Sequence, residues 1–162
     1  MTEKLQAAAI DKMAERGVKV SDIYKGADEF LTNKYHDAID EALLNKAIDR
    51  VLHKDEVADI ILAALYLDEQ AEVMPESNIM KGRLARDANG YNVDELLAIG
   101  ITQQFSAAAT VHYGLLDDLK PGLIGEINDR TDTVNVFLDD ILAALIASAA
   151  MTYLEIQGGN HY

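Results

Sequence analysis

Apolar residues recur every three or four positions along most of the 162-residue chain, the spacing of helices that bury one face. The first such stripe runs to Met13 and stops at Gly17, a residue type that commonly ends helices. A second helix is predicted to begin at Ser21 as its N-terminal cap. The helices after the first are predicted at about residues 21–33, 37–52, 55–73, 75–85, 93–111, 122–128 and 133–157, with loops at 87–91 and 113–122. The pattern predicts an all-α fold.

The last predicted helix differs from the others because it is apolar on every face after Asp140. It is predicted to begin near Thr133, with Asp132 as its cap, and to end before Gly158. A helix that is hydrophobic all round belongs inside a bundle. We therefore expect a single-domain helical bundle over residues 1–162, in which this central helix is surrounded by about five others.

Composition narrows the class of protein. The net charge of −14 repels nucleic acid and anionic membrane surfaces, so no nucleic-acid partner is expected. The absence of cysteine excludes disulfides, thiol catalysis and cysteine-bound zinc. The longest apolar run, residues 141–154, is shorter than the roughly 17–25 residues of a membrane helix. We expect a cytoplasmic protein without a transmembrane segment. An exposed apolar face on the N-terminal helices would favour a homodimer.

Two adjacent acids, Asp139 and Asp140, lie where the last helix becomes apolar. They fall beyond the first turn of the predicted helix, which argues against a capping role because unpaired amides are confined to that turn. Asp68 and Asp94 likewise continue the apolar faces of their own helices. Burial of several carboxylates is unfavourable unless cations compensate them. The compensation is either a bound divalent cation or ion pairs with Lys and Arg from the N-terminal half, and the spacing leaves both open.

An oxygen-rich site without cysteine suits Mg²⁺, Mn²⁺ or Ca²⁺ better than zinc. Lys120 adds to this picture because it and Arg130 are the only Lys or Arg residues from residue 87 onward, in a segment that carries eleven Asp or Glu. An acidic metal site with one lysine nearby is suited to phosphate chemistry, in which the metal polarises the phosphoryl group and the lysine balances its charge.

Three segments carry a resemblance to a known family: YNVDELLAIGI (91–101), LLDDLKPGLI (115–124) and FLDDILAALIA (137–147). In this order and spacing they resemble the successive motifs of the phosphatidylglycerophosphatase A family. The segment 53–72 is similar to a soluble branch of that family found in Gram-positive bacteria.

The resemblance implies a Mg²⁺-dependent phosphatase that removes the terminal phosphate of phosphatidylglycerophosphate, so the expected partner is a phosphorylated small molecule or a lipid head group. It also implies roles for particular residues. The metal ligands would be Glu95, Asp139 and Asp140, with Glu56 and Asp68 as further candidates, and the catalytic residues would be Asp94, Asp117 and Lys120.

The chain departs from the family pattern at three positions. Gly114 stands where the family has arginine, Leu116 where it has phenylalanine, and Ala144 where it has glycine. The lost arginine removes a bidentate phosphate ligand that lysine does not replace. The alternative hypothesis is therefore a catalytically inactive or regulatory helical oligomer that retains an acidic metal-binding site.

Overall fold

The computed structural model describes residues 2–36, 38–84 and 91–159, and over these residues the chain forms helices and no strand. The all-α prediction is confirmed. In chain order the helices are α1 (Thr2–Glu15), α2 (Val20–Tyr35), α3 (Glu41–Leu52), α4 (Asp55–Val73), α5 (Ile79–Leu84), α6 (Val93–Thr102), α7 (Ala107–Leu119), α8 (Leu123–Asn128) and α9 (Leu138–Gly159).

Helix α9 forms the centre of the bundle, as the sequence predicts. It packs against α2, α3, α4, α6, α7 and α8, and every residue from 137 to 153 is buried. Among the described residues, Leu138–Gly158 is the one helical stretch long and apolar enough to cross a membrane. The protein itself buries 72% of that stretch, so the bundle covers most of its apolar surface.

The predicted start of this helix is wrong by five residues. The helix begins at Leu138 rather than near Thr133, because the Asp68 carboxylate of α4 accepts hydrogen bonds from the Phe137 and Leu138 amides. Asp132 is therefore not its cap. Asp139 and Asp140, expected beyond the first turn, lie within it. The first-turn amides are satisfied by a residue from another helix, which a local reading of the sequence cannot identify.

The single helix predicted over 93–111 is two helices. Helix α6 ends at Thr102, whose hydroxyl donates to the Ile99 carbonyl at 3.0 Å. Ser106 then caps α7 by accepting a hydrogen bond from the Ala109 amide at 3.1 Å. The predicted loop over 113–122 is also wrong, because α7 continues through it to Leu119.

Smaller differences concern the ends of three helices. Helix α2 begins before Ser21, where Asp22 accepts a hydrogen bond from the Lys19 amide at 2.7 Å, so Ser21 is not the cap. Helix α3 begins after Asp40, which caps it through the Leu43 amide at 3.0 Å. Helix α5 is shorter than predicted, and the predicted loop at 87–91 lies almost entirely outside the described residues.

Candidate metal centre

Three carboxylates converge where the last turn of α7 meets the first turn of α9. Asp117, Asp139 and Asp140 each place one oxygen so that all three atoms lie within 4.8 Å of one another. Asp139 and Asp140 are each only 4% exposed, and Asp117 is half-buried. Packing of α7 against α9 thus brings together two motifs that are separate in the sequence.

Lys120 bridges two members of this triad. Its Nζ donates to Asp117 Oδ1 and to Asp139 Oδ2, each at 2.9 Å. Burial alone would lower the pKa of Lys120, but the hydrogen bonds to the two carboxylates outweigh it and raise the pKa above its ordinary value. The lysine therefore stays charged and compensates one of the three carboxylates.

The backbone conformation at Lys120 is unusual for a non-glycine residue. Lys120 ends α7 with φ 42° and ψ 57°, in the left-handed region that non-glycine residues rarely occupy. Its amide donates to the Leu116 carbonyl at 2.8 Å. A Cβ at Gly125 in α8 would lie 2.5 Å from the Lys120 carbonyl oxygen, so this close approach requires glycine.

Tyr113 is a member of the site that the sequence did not reveal. It lies one helical turn before Asp117 and donates its hydroxyl to Asp140 Oδ1 at 3.1 Å. Burial, followed by the charge of Asp140, raises the pKa of Tyr113, so the hydroxyl remains a donor. On a helix, the i, i+4 spacing would place Tyr113 on the same face as Asp117. The sequence alone does not reveal this, because residues 113–122 are predicted to be a loop.

The electrostatics of the triad favour a bound cation. Burial, and after it the hydrogen bond with Asp117 and the charge of Asp139, raises the pKa of Asp140 to about 10. Burial also raises the pKa of Asp139, although Lys120 acts in the opposite direction. When the three carboxylates and Lys120 are all ionised, the cluster carries a net charge of −2. Its all-oxygen donor set and its charge fit a hard divalent cation such as Mg²⁺, Mn²⁺ or Ca²⁺.

The two acids of the segment 91–101 lie beside the triad but outside it. Asp94 is 6% exposed in the first turn of α6, and its negative charge contributes to the raised pKa of Asp140. Glu95, predicted as a metal ligand, is exposed, and its charge contributes to the raised pKa of Tyr113. Of this pair, the structure thus buries Asp94 rather than Glu95.

The two acids of α4 that were predicted as metal ligands, Glu56 and Asp68, lie about three turns apart along the helix. Asp68 is fully buried and uses both oxygens on the amides at the start of α9, so it positions the paired aspartates. Burial raises the pKa of Asp68 to about 7, although those hydrogen bonds act to lower it. Glu56 is exposed in the first turn of α4, about 18 Å along the helix from Asp68. The structure does not bring Glu56 to the site.

Arg16 fixes the loop that leads into α9 and was also missed from the sequence. Its guanidinium donates to the Val134 carbonyl, to Glu72 Oε1 at 2.9 Å and to Asn135 Oδ1 at 3.3 Å. The side chain is 9% exposed. Nothing in the sequence signals this role, because Arg16 directly follows an amphipathic helix and its loop partners lie 118 and 119 residues away.

The three departures from the family pattern lie in different surroundings. Gly114 is on the exposed side of α7, and a Cβ there would have no other atom within 4 Å. Leu116 and Ala144 are buried in the core.

Comparisons with known proteins agree with this picture. The sequence model of the phosphatidylglycerophosphatase A family matches residues 30–155. The uncharacterized protein YutG of Bacillus subtilis (strain 168) is 40% identical over 150 residues, which cover 91% of this chain and 89% of that protein. A Bacillus stearothermophilus protein of unknown function has a solved structure with a TM-score of 0.87 and 31% identity, covering 94% of this chain and 99% of its own. The low temperature requirement C protein of Listeria monocytogenes matches with a TM-score of 0.86 and 31% identity, covering 98% of each chain.

Proposed function

Because the chain belongs to the phosphatidylglycerophosphatase A family, we propose that it is a divalent-metal-dependent phosphatase acting on a phosphomonoester, with phosphatidylglycerophosphate as the first candidate substrate. The observation that carries the proposal is the convergence of Asp117, Asp139 and Asp140 around Lys120. The net charge of −14 and the burial of α9 within the bundle support a cytoplasmic location.

In this proposal Asp117, Asp139 and Asp140 hold Mg²⁺, with Mn²⁺ or Ca²⁺ able to occupy the same oxygen site. When bound, the metal supplies Lewis-acid polarisation of the phosphoryl group and neutralises its charge. Tyr113 fixes the orientation of Asp140 through its hydrogen bond. Lys120 places a permanent positive charge between two of the carboxylates, where it offsets the negative charge of the incoming phosphate.

Asp94 is the carboxylate best placed to activate the water that attacks the phosphorus. Asp117 belongs to the metal-binding triad, which leaves Asp94 as the buried acid beside it. In hydrolysis the water oxygen forms a bond to phosphorus, the ester P–O bond breaks, and the leaving alcohol takes up a proton. Asp94 orients the attacking water and accepts the proton that the water loses, while the leaving alkoxide takes its proton from solvent.

The test compares two single substitutions in neighbouring motifs. Asp140→Asn removes a triad charge with little change in shape, whereas Asp118→Asn changes an exposed acid next to Asp117. Phosphate release from phosphatidylglycerophosphate in mixed micelles is measured with MgCl₂ and with EDTA. We expect Mg²⁺-dependent release that falls at least about 100-fold in Asp140→Asn, the scale of losing a key electrostatic group, and stays within about twofold in Asp118→Asn.

The alternative, a non-catalytic protein with an acidic metal site, gives a different outcome. In that case Mg²⁺ raises the melting temperature of the wild type but not of Asp140→Asn, and no phosphomonoester in a substrate panel is hydrolysed with Mg²⁺, Mn²⁺ or Ca²⁺. If the wild type shows neither a rise in melting temperature with Mg²⁺ nor phosphate release, the metal centre itself is contradicted.

A further inference from the structure

A cavity of about 550 Å³ opens beside Asp139, the one member of the triad that borders it. Most of its wall is the loop from Arg130 to Val136, which connects α8 to α9. The remaining wall comes from the end of α4, from Asn128 and from Lys81 of α5. This volume lies in the range of small-molecule sites, roughly 300–1,000 Å³, so it holds more than the single phosphate that reacts.

Two cations border the cavity with weak internal partners. The Lys81 side chain is only 16% exposed, yet its Nζ lies 3.4 Å from the Glu72 carbonyl oxygen and 3.9 Å from the Glu76 carboxylate, both long contacts. Within the part of the chain that the structure describes, the Arg130 side chain forms one hydrogen bond, from Nη1 to the Arg16 carbonyl at 3.0 Å, and no ion pair. The guanidinium lies against Gly17, and its other N–H donors form no hydrogen bond with the described residues.

The charges of the residues that line the cavity indicate which kind of ligand it would bind. Three carboxylates also border the cavity, but Glu72 is bound by Arg16 and Asp139 by Lys120. Within the lining only Asp132 then opposes Lys81 and Arg130, which leaves a net charge of about +1 before the exposed Glu76 carboxylate, 3.9 Å from Lys81 Nζ, is counted. A phosphodiester carries a single negative charge, whereas a phosphomonoester carries about −1.5 to −2 near pH 7. The cavity therefore matches a phosphodiester, while the −2 charge of the adjacent triad together with Lys120 matches a divalent cation.

We propose that this cavity is a specificity site that binds a second anionic group of the substrate, a phosphodiester, through Arg130 and Lys81. The inference rests on the proposed phosphatase function, because it takes the triad as the place where the phosphomonoester reacts. Arg130 presents a planar guanidinium that can bind two oxygens of one phosphate. It thus supplies, from the loop before α9, a kind of ligand that Gly114 cannot provide.

The test uses two synthetic soluble substrates that differ in one group. The first is propyl phosphate, and the second is the same phosphomonoester with a methyl phosphodiester at the far end of the propyl chain. The wild type should have the higher kcat/KM for the second substrate, mainly through a lower KM. Arg130→Gln and Lys81→Gln should each reduce the ratio of the two kcat/KM values about 10- to 100-fold, the effect of losing one charge-assisted hydrogen bond.

Matched controls separate local binding from a general change in charge. Arg50→Gln and Lys46→Gln each remove one exposed positive charge from α3 and should leave the ratio unchanged. Arg130→Lys keeps the positive charge but loses the planar guanidinium that can bind two oxygens. It should retain part of the preference for the phosphodiester substrate. Melting temperatures identify any variant that fails to fold, and if Arg130→Gln does so, Lys81→Gln and Arg130→Lys decide the outcome. A wild type without preference, or variants that leave the ratio unchanged, would overturn the proposal.

A binding measurement distinguishes failure of this inference from failure of the proposed function. The probe is a non-hydrolysable analogue of the second substrate, with a phosphonate in place of the phosphomonoester, titrated by calorimetry. Binding that Arg130→Gln and Lys81→Gln weaken, without turnover of either substrate, would retain the anion site and reject the phosphatase. Turnover of both substrates with equal analogue binding by wild type and variants would retain the phosphatase and reject the anion site.

Discussion

At the scale of single residues, Asp68 couples folding to pH because both of its oxygens hold the start of α9. Burial raises the pKa of Asp68 from 3.8 to about 7. The folded chain therefore binds a proton that the unfolded chain releases between about pH 4 and pH 7. The contribution of this group to the free energy of unfolding is complete below that window and is lost as pH rises through it. Urea unfolding in EDTA from pH 4.5 to 8 measures the decline.

The variant Asp68→Asn isolates this contribution. It retains an oxygen that accepts an amide hydrogen bond but cannot titrate, so the decline in stability with pH should be shallower than in the wild type. Asp59→Asn changes an exposed acid of the same helix and should leave the decline unaltered. Equal slopes in Asp68→Asn and wild type would show that another group controls the pH dependence.

The sequence alone predicts the burial of a residue when the residues around it in the chain form an apolar helical face. Asp139, Asp140, Asp94 and Asp68 could be predicted as buried because each continues an apolar helical face, and all four are buried. The roles of other residues depend on partners that periodicity does not show. Tyr113 meets Asp140 across 27 residues, and Asp68 meets the start of α9 across about 70.

At the scale of elements, α8 holds the end of α7 in place through Gly125. The variant Gly125→Ala should push the Lys120 carbonyl away, because the new Cβ would lie 2.5 Å from its oxygen. We expect a loss of about 1–3 kcal/mol in the free energy of unfolding, the usual range for overpacking. Phosphatase activity should fall at least tenfold, because Lys120 then loses its position between Asp117 and Asp139.

Gly114→Ala is the matched control for that substitution. It adds the same methyl group to an exposed position of α7 where no other atom lies within 4 Å. Stability should be unchanged or rise by up to about 1 kcal/mol, since alanine favours a helix over glycine. Similar losses of activity in both variants would argue against a specific role for the contact between Gly125 and Lys120.

The loop before α9 depends on α1 through Arg16. The variant Arg16→Ala should lower the free energy of unfolding by about 2–3 kcal/mol, because it leaves Glu72 and the Val134 carbonyl without their shared donor. Arg50→Ala removes an exposed arginine that lies 3.8 Å from Glu155 and should cost about 0.5 kcal/mol or less. Denaturant unfolding measures the free energy of unfolding of both variants. Equal losses in Arg16→Ala and Arg50→Ala would contradict the structural role of Arg16.

The ends of elements were harder to predict than their existence. Continuous apolar periodicity joined α6 to α7 and extended α9 towards Thr133. The break between α6 and α7 depends on the hydrogen bonds of Thr102 and Ser106, and the start of α9 depends on Asp68. These are a few side-chain contacts that change the chain direction without changing the apolar pattern.

At the scale of the whole molecule, the net charge of −14 predicts two separable responses to salt. KCl should raise the melting temperature gradually by screening repulsion among the acidic residues. At equal ionic strength MgCl₂ should add a saturable increase, worth about 2.7 kcal/mol at 100 times the dissociation constant. Asp140→Asn should keep the first response and lose the second. Equal effects of the two salts on the wild type would contradict a specific metal site.

The position of the triad on α9 has a consequence for how this molecule can evolve. Asp139 and Asp140 belong to the most deeply buried helix, where nearly every substitution disturbs the core. The cavity beside Asp139 is lined largely by a loop whose residues 131–133 are exposed. Loops tolerate exchange far better than packed helices. Mutational drift can therefore change the shape and charge of the cavity while the carboxylates of α9 stay fixed, so relatives can keep the same triad beside differently shaped cavities.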